Sequence, residues 1–273
     1  MEPRPRKQFA QHWLKSDKTL EQIIKAAEIT KRDRILEIGP GTGILTRRLL
    51  PVAQSVVVVE IDRDLCQLLT KQLGQTENFL LLQGDILSLD LPTHLATFPN
   101  FQQLNKVVAN IPYNITGPIL EKLLGTLSYP VTTFDSIVLL LQKEVAERLY
   151  AKPSSRAFGA LSVRVQYLAE CELICPVPAA YFSPPPKVDS AVVRLRPRLI
   201  EPAALEPRSL ENIVKVGFAA KRKMLRNNLK GLVDRDFLTS LLEQLGVNPQ
   251  VRAEDLSVAQ WIALSNKLCV PTP

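Results

Sequence analysis

A strand, a glycine-punctuated loop and a helix follow one another between Arg34 and Leu50, and few architectures accommodate that order. Arg34-Ile35-Leu36-Glu37-Ile38 is a short apolar run. Gly39, Gly41 and Gly43 alternate after it, and Ile44-Leu45-Thr46-Arg47-Arg48-Leu49-Leu50 has the composition of a helix. In an open parallel sheet, ligands collect beyond the C-terminal ends of the strands, where such a loop lies. A dinucleotide fingerprint wants its third glycine one residue later, where this chain has Ile44. The loop therefore suits a ligand whose small body lies against the backbone without a pyrophosphate.

The alternation continues along the chain. Val56-Val57-Val58-Val59 ends in Glu60, Phe79-Leu80-Leu81-Leu82 leads to Gly84-Asp85, and Val107-Val108-Ala109 leads to Asn110-Ile111-Pro112-Tyr113. Residues 135–142 form a further apolar run that passes into a helical segment, 143–149. Between the runs, helices are expected from about Asp17 (with Leu20, Ile23, Ile24 and Ala27 on one face), from Asp62, and over 118–127. Strand and helix in alternation predict an α/β fold with a mostly parallel sheet. Residues 88–105, with Pro92 and Pro99, read as an irregular connection. Residues 161–168 and 188–195 read as two more strands. Between them, Tyr181-Phe182-Ser183-Pro184-Pro185-Pro186-Lys187 is a stiff loop able to hold Phe182 in a set position. Prolines between 196 and 207 predict a boundary, giving domains 1–200 and 201–273. The second domain reads as helical, with an apolar face over 234–245 stopped by Gly246 and a capping box, Ser257 to Gln260, ahead of Trp261.

The strand ends carry the chemistry. Glu60 has the place of the acid that takes ribose hydroxyls in nucleotide-binding sheets. Asp85 can accept from an adenine amino group, although a Gly-Asp turn is the plainer alternative. Asn110 offers an amide oxygen, Pro112 restricts the backbone carbonyls around it, and Tyr113 supplies a flat ring. Two acceptors beside a ring suit a planar base with an exocyclic amine, and hence a methyltransferase acting on that amine. A strand end with a packed tyrosine is the plain alternative.

The net charge of +7 favours a polyanionic partner. Much of it lies between 205 and 231, where seven basic and two acidic residues leave +5. On a helix, Arg222, Arg226 and Lys230 would share one face at i, i+4 and i+8 and could meet a phosphate backbone. Cys66, Cys171, Cys175 and Cys269 have no second Cys or His pair to close a metal site, so plain buried thiols are expected. The basic opening segment lacks the apolar stretch of a signal peptide, and no run reaches membrane-spanning length, so a soluble cytoplasmic protein is expected. Phe9, Trp13 and Leu14 argue that the opening segment is tied down.

In order and spacing, Gly39-x-Gly41-x-Gly43, Glu60, Asp85 and Asn110-Ile-Pro-Tyr113 resemble class I S-adenosylmethionine-dependent methyltransferases. Almost the whole chain resembles one family of that class, the ribosomal RNA adenine dimethylases of the small-subunit (16S) type. The pieces that carry this are Gln11-His12-Trp13-Leu14, Leu36-Glu37-Ile38-Gly39-Pro40-Gly41, Asn110-Ile-Pro-Tyr113, Leu141-Gln-Lys-Glu-Val145, Phe182-Ser-Pro-Pro-Pro-Lys-Val-Asp-Ser190 and Lys221-Arg-Lys-Met-Leu-Arg-Asn-Asn228. The resemblance implies N6,N6-dimethylation of two adjacent adenosines in the 3′-terminal hairpin loop of 16S rRNA. It implies S-adenosylmethionine as donor, and a monomer acting on an immature small subunit. It implies that His12, Leu14, Gly39, Glu60, Asp85 and Asn110 hold the cofactor, with Asn110 and Tyr113 catalytic and Phe182, Arg222 and Arg226 toward the RNA. No metal is implied. The family usually has Asn and Phe where this chain has His12 and Trp13. Alternatives are the related 23S rRNA adenine dimethylase and a non-catalytic ribosome-assembly or RNA-binding factor.

Overall fold

The computed structural model describes Arg6 and residues 11–269; Phe9 lies outside the described residues. In chain order the elements are β1 (Trp13–Leu14), α1 (Asp17–Ala27), β2 (Arg34–Ile38), α2 (Thr46–Leu49), β3 (Ser55–Glu60), α3 (Arg63–Leu73) and β4 (Phe79–Gln83). Then come α4 (Leu91–Leu95), β5 (Lys106–Asn110), α5 (Thr116–Leu124), β6 (Ser136–Gln142), α6 (Lys143–Leu149) and α7 (Ala160–Leu168). They are followed by β7 (Ala169–Val177), β8 (Phe182–Ser183), β9 (Ser190–Pro197), α8 (Pro207–Gly217), α9 (Leu225–Asn228), α10 (Arg235–Gln244) and α11 (Val258–Cys269). The chain divides into two compact units. One runs through Leu123 and adds 132–146 and 172–197; the other takes 124–131, 147–171 and the chain from Arg198 on.

The first unit is organised by a seven-stranded sheet in the order β4-β3-β2-β5-β6-β9-β7. β4, β3, β2, β5 and β6 run parallel to their neighbours, and β9 lies antiparallel to β6. Val56, Val57, Val58 and Val59 are all at most 2% exposed, which explains why β3 reads as an unbroken apolar run: parallel strands are covered on both faces. α1 is capped by Ser16, whose Oγ accepts from the Thr19 amide at 3.2 Å, and buries Leu20, Ile23 and Ala27. From β2 the chain moves outward to β3 and β4 on one side, and then to β5 and β6 on the other. The strand order therefore reverses between β2 and β5, and their carboxyl ends flank a crevice there. A two-residue ribbon, β1 against β8, pairs Trp13 with Ser183 and Leu14 with Phe182. The Lys15 amide extends it by donating to the Tyr181 carbonyl at 2.8 Å.

The second unit is helical. Phe158, Phe218 and Trp261 form a ring cluster, and Gly217 lets Trp261 lie so close that a Cβ there would come within 2.5 Å of the indole. The capping box forms, with Ser257 Oγ accepting from the Gln260 amide at 3.2 Å and Gln260 Oε1 accepting from the Ser257 amide at 2.9 Å.

Two expectations from the sequence are corrected here. Residues 161–168 are not a strand but most of α7. Their alternating valines read as β, but the Gly159 amide donates to Ser162 Oγ at 3.0 Å, which caps a helix. Gln166 Nε2 then reaches the carbonyls of Leu149 and Ala151 at 3.0 and 2.8 Å, tying the helix down. The strand begins one residue later and carries Cys171, half-buried, and Cys175, buried. Second, Arg222, Arg226 and Lys230 do not share a helical face, because α9 spans only Leu225–Asn228. Met224 is extended (φ −59°, ψ 147°) and bridges to Arg252, while the Leu225 amide donates to Val251 O at 2.8 Å. Asn228 Nδ2 caps the preceding segment through the carbonyls of Gly217 and Ala220, at 2.6 and 3.1 Å. Arg222 is left exposed in a turn, and Arg226 is half-buried. Among the described residues, no helix is long and apolar enough to cross a membrane.

Candidate active site at the switch point of the sheet

The crevice between β2 and β5 opens into a cavity of about 330 Å3, of a size suited to a small organic ligand. Its walls come from the segment 11–14, the loop after β2, and the residues that follow β3, β4 and β5. His12, Leu14, Gly39, Glu60, Asp85, Asn110 and Tyr113 all line it, so residues spread over a hundred positions of sequence converge. Phe182, Arg222 and Arg226 do not.

The loop after β2 is left-handed at alternate residues, with φ of +66° at Gly39 and +58° at Gly41. A side chain at either would be strained, and at Gly41 a Cβ would also come within 3.3 Å of the Trp13 ring. Backbone is thereby presented directly to the cavity. Glu60 stands opposite and is 4% exposed. Its Oε2 accepts from the Gly41 amide at 3.2 Å and its Oε1 from the Asp62 amide at 2.9 Å. Burial pushes its pKa upward, and those amides pull it back. Asp85 uses Oδ1 to accept from the Leu87 amide at 2.9 Å; its other oxygen has no partner among the described residues.

Asn110 ends β5. Its Nδ2 donates to the His12 carbonyl at 3.4 Å, which turns the amide so that Oδ1 is left without a donor among the described residues. The Pro112 carbonyl accepts from the Ile115 amide and the Thr116 hydroxyl, both at 3.4 Å. Of the two carbonyls beside Asn110, that of Ile111 is therefore the one left uncommitted among the described residues. The Tyr113 hydroxyl shares a hydrogen bond with Ser190 Oγ at 2.6 Å, and burial raises the phenol's pKa.

Phe182, expected toward the RNA, does not line the cavity. It is 3% exposed, pairs with Leu14 across the β1–β8 ribbon and belongs to the apolar core of the unit. The ring that faces Tyr113 is His12, with centroids 5.9 Å apart and planes inclined by 20°.

Some residues of the cavity were not singled out from sequence. Ile61 and Ile86 supply apolar wall beside the two strand-end acids, and adjacency to Glu60 and Asp85 was the available signal. Gln11 Nε2 donates to Asp62 Oδ2 at 3.0 Å, joining the N-terminal segment to the end of β3; nothing in its local sequence marks that role. Glu37 is 1% exposed, and its Oε2 accepts from the Thr46 hydroxyl at 2.7 Å. Burial pushes its pKa up to about 8, with the charge of nearby Glu60 adding to the rise, so it carries a proton at neutral pH. A carboxylate inside an apolar strand was the signal.

The donors and acceptors present fit a nucleoside-bearing methyl donor: backbone exposed at a glycine loop, then an acid, an acid and an amide at the ends of β3, β4 and β5. Comparison with known proteins agrees. The family model described as ribosomal RNA adenine dimethylase matches residues 3–269. A protein named ribosomal RNA small subunit methyltransferase A from Nostoc punctiforme is 73% identical, over 98% of this chain and 96% of its own length. The protein of that name from Synechocystis sp. is 58% identical, over 97% and 96%. Among solved structures, a dimethyladenosine transferase from Plasmodium falciparum superposes with a TM-score of 0.76 at 29% identity, over 93% of this chain and 96% of that one. The 23S rRNA methyltransferase ErmE gives 0.71 at 29%, over 94% and 99%. The chain belongs to the ribosomal RNA adenine dimethylase family and is an S-adenosylmethionine-dependent rRNA adenine methyltransferase.

Proposed function

We propose that this enzyme places two methyl groups on N6 of each of two adjacent adenosines in the 3′-terminal hairpin loop of 16S rRNA, acting as a cytoplasmic monomer on an immature small subunit. The names of the relatives from Nostoc and Synechocystis support the choice of subunit. The observation that carries the chemistry is Asn110, whose amide nitrogen is engaged by the His12 carbonyl while its oxygen stays open at the cavity.

Gly39, Glu60, Asp85 and Asn110, with His12 and Leu14, would hold S-adenosylmethionine, which when bound supplies an electrophilic methyl group on sulfur. Adenine N6 is a weak nucleophile because its lone pair is delocalised into the ring. Asn110 Oδ1 accepts one N6 hydrogen and the Ile111 carbonyl the other. Both pull the nitrogen toward tetrahedral geometry and free the lone pair. Positive charge grows on N6 in the transition state, and these fixed dipoles stabilise it there. The alkylated nitrogen is acidic and releases its proton without a strong base. Tyr113, anchored through Ser190, offers a flat face to the base. Residues 201–273 serve as the rRNA-binding part, with Arg222 and Arg226 toward phosphates.

The test is methyl transfer from labelled donor to three substrates: unmethylated small subunits, naked 16S rRNA and large subunits. Label confined to the small-subunit substrate is expected. Preferential labelling of large subunits would assign the chain to the other branch, and no transfer to any of the three would leave the assembly-factor reading.

A further inference from the structure

The open oxygen of Asp85 is presented by a segment that belongs to no strand or helix. Residues 84–89 lie between β4 and α4, so no ladder of backbone bonds fixes them. Connections of this kind move more than the elements they join. At one side the Gly84 amide donates to the Glu60 carbonyl at 2.9 Å, which ties the segment to β3. Within it, the Leu87 amide donates to Asp85 Oδ1 and the Leu89 amide to the Asp85 carbonyl, both at 2.9 Å. The carbonyls of Leu87 and Leu89 face the other side, and both accept from one group, Lys122 Nζ, at 3.4 and 2.8 Å. Lys122 is half-buried on α5 and does not line the cavity. An ammonium only donates, and a hydrogen bond from an ionised donor is about twice as strong as a neutral one. The first turn of α5 is tied to the catalytic tetrapeptide, where the Thr116 hydroxyl donates to the carbonyls of Pro112 and Tyr113 at 3.4 and 3.2 Å. One helix therefore grips the end of β5 at its start and the segment after β4 further along.

We propose that Lys122 is a positioning residue for recognition of the cofactor's adenine: by holding the carbonyls of Leu87 and Leu89 it sets the turn that aims the open oxygen of Asp85 at the 6-amino group. Lys122 touches no ligand and acts through Asp85. The inference rests on the reading of Asp85 as the adenine acceptor and adds the side chain that keeps this acceptor in place. Without the ammonium, two carbonyls lose their donor and the turn is held only through Gly84 and its own internal bonds. Asp85 then swings more freely, and the amino group loses a fixed partner. The ribose end is unaffected, because Glu60 is held by the amides of Gly41 and Asp62.

The experiment measures, by titration calorimetry on the full chain, the affinity for two ligands: S-adenosylhomocysteine, and the same compound with hydrogen in place of its 6-amino group. Their ratio isolates recognition of the amino group. Wild type should prefer the amino compound about 10- to 100-fold, the worth of a hydrogen bond to a charged acceptor. Lys122→Met should shrink that preference about 3- to 10-fold, mostly by weakening the amino compound. Lys122→Arg, whose guanidinium can also donate to two carbonyls, should keep most of it. In an Asp85→Ala background, Lys122→Met should leave the ratio where Asp85→Ala alone puts it. Thermal unfolding reports whether each variant folds. If Lys122→Met does not, Lys122→Gln, whose nitrogen stops one bond short, carries the same test. A lysine that merely stabilises the fold would weaken both ligands alike, and an unchanged ratio in Lys122→Met would overturn the proposal. So would a further loss of preference on adding Lys122→Met to Asp85→Ala. Absence of any preference in wild type would instead overturn the adenine reading of Asp85, and the role of Lys122 with it.

Discussion

The cavity of the first unit and the basic run of the second were both approached through residue spacing, and only the cavity came out as spaced. In the cavity, Gly39, Glu60, Asp85 and Asn110 each lie at the C-terminal end of a parallel strand or within two residues of it. Hydrogen bonding puts neighbouring strand ends side by side, so a motif at each end is enough to bring them together. In the basic run, the i, i+4, i+8 spacing of Arg222, Arg226 and Lys230 assumed a helix that the backbone does not keep. Met224 pairs with Arg252 and Asn228 caps Gly217 and Ala220. A buried strand declares its neighbours by composition, whereas a surface helix of good propensity yields to any tertiary hydrogen bond that competes for its backbone.

The largest effect that can break this contrast is at Asn110. Asn110→Ala should lower the single-turnover rate of methyl transfer about 10²–10³-fold, the cost of removing one preorganised polar partner. A rate equal to wild type would mean the strand ends converge without doing chemistry. The next is Glu37. Its folded pKa, about 8, lies above the ordinary value of 4.5, so between those limits the unfolded chain ionises while the folded one stays protonated. Its contribution is therefore complete at pH below 4.5 and is lost as pH rises toward 8. Denaturant titrations across that window should show Glu37→Gln removing a decline on the order of a few kcal/mol. Parallel slopes for variant and wild type would place an ionised Glu37 in the fold.

Asn228→Ala tests the second region. It frees the carbonyls of Gly217 and Ala220, and thermal unfolding should report a loss of about 1–3 kcal/mol. No loss would make the broken helix a matter of the Met224 bridge alone. The smallest effect is at Arg222. The rRNA affinity of Arg222→Ala, followed across salt concentration, should show a log–log slope smaller by about one, with a smaller change for half-buried Arg226→Ala. Equal changes at both would restore the shared face.

Most of the first unit was legible because periodicity and turn chemistry agree there. The loop after β2, the valines of β3 and the apolar face of α1 at Leu20, Ile23 and Ala27 all sit where local preference and burial coincide. What escaped depended on contacts far apart in sequence. The Ser162 cap and the Gln166 bonds made a helix of alternating valines. Pairing of Phe182 with Leu14 took that ring into the core, and the bond from His12 to Pro184, 172 residues away, put an imidazole on Tyr113. The site's acceptors were visible in order along the chain, while the burial of Phe182 and the approach of His12 to Tyr113 follow from the β1–β8 ribbon.

The claim at the centre is that strand-end residues on β2, β3, β4 and β5 make one nucleoside-binding site. A crystal structure of the chain with S-adenosylhomocysteine measures that directly. The account predicts ribose hydroxyls about 2.5–3.0 Å from Glu60, the adenine amino group on the open oxygen of Asp85, and the amino-acid end against Gly39. A nucleoside bound outside this cavity, or bound within it while Glu60 keeps both oxygens on Gly41 and Asp62 alone, would contradict it.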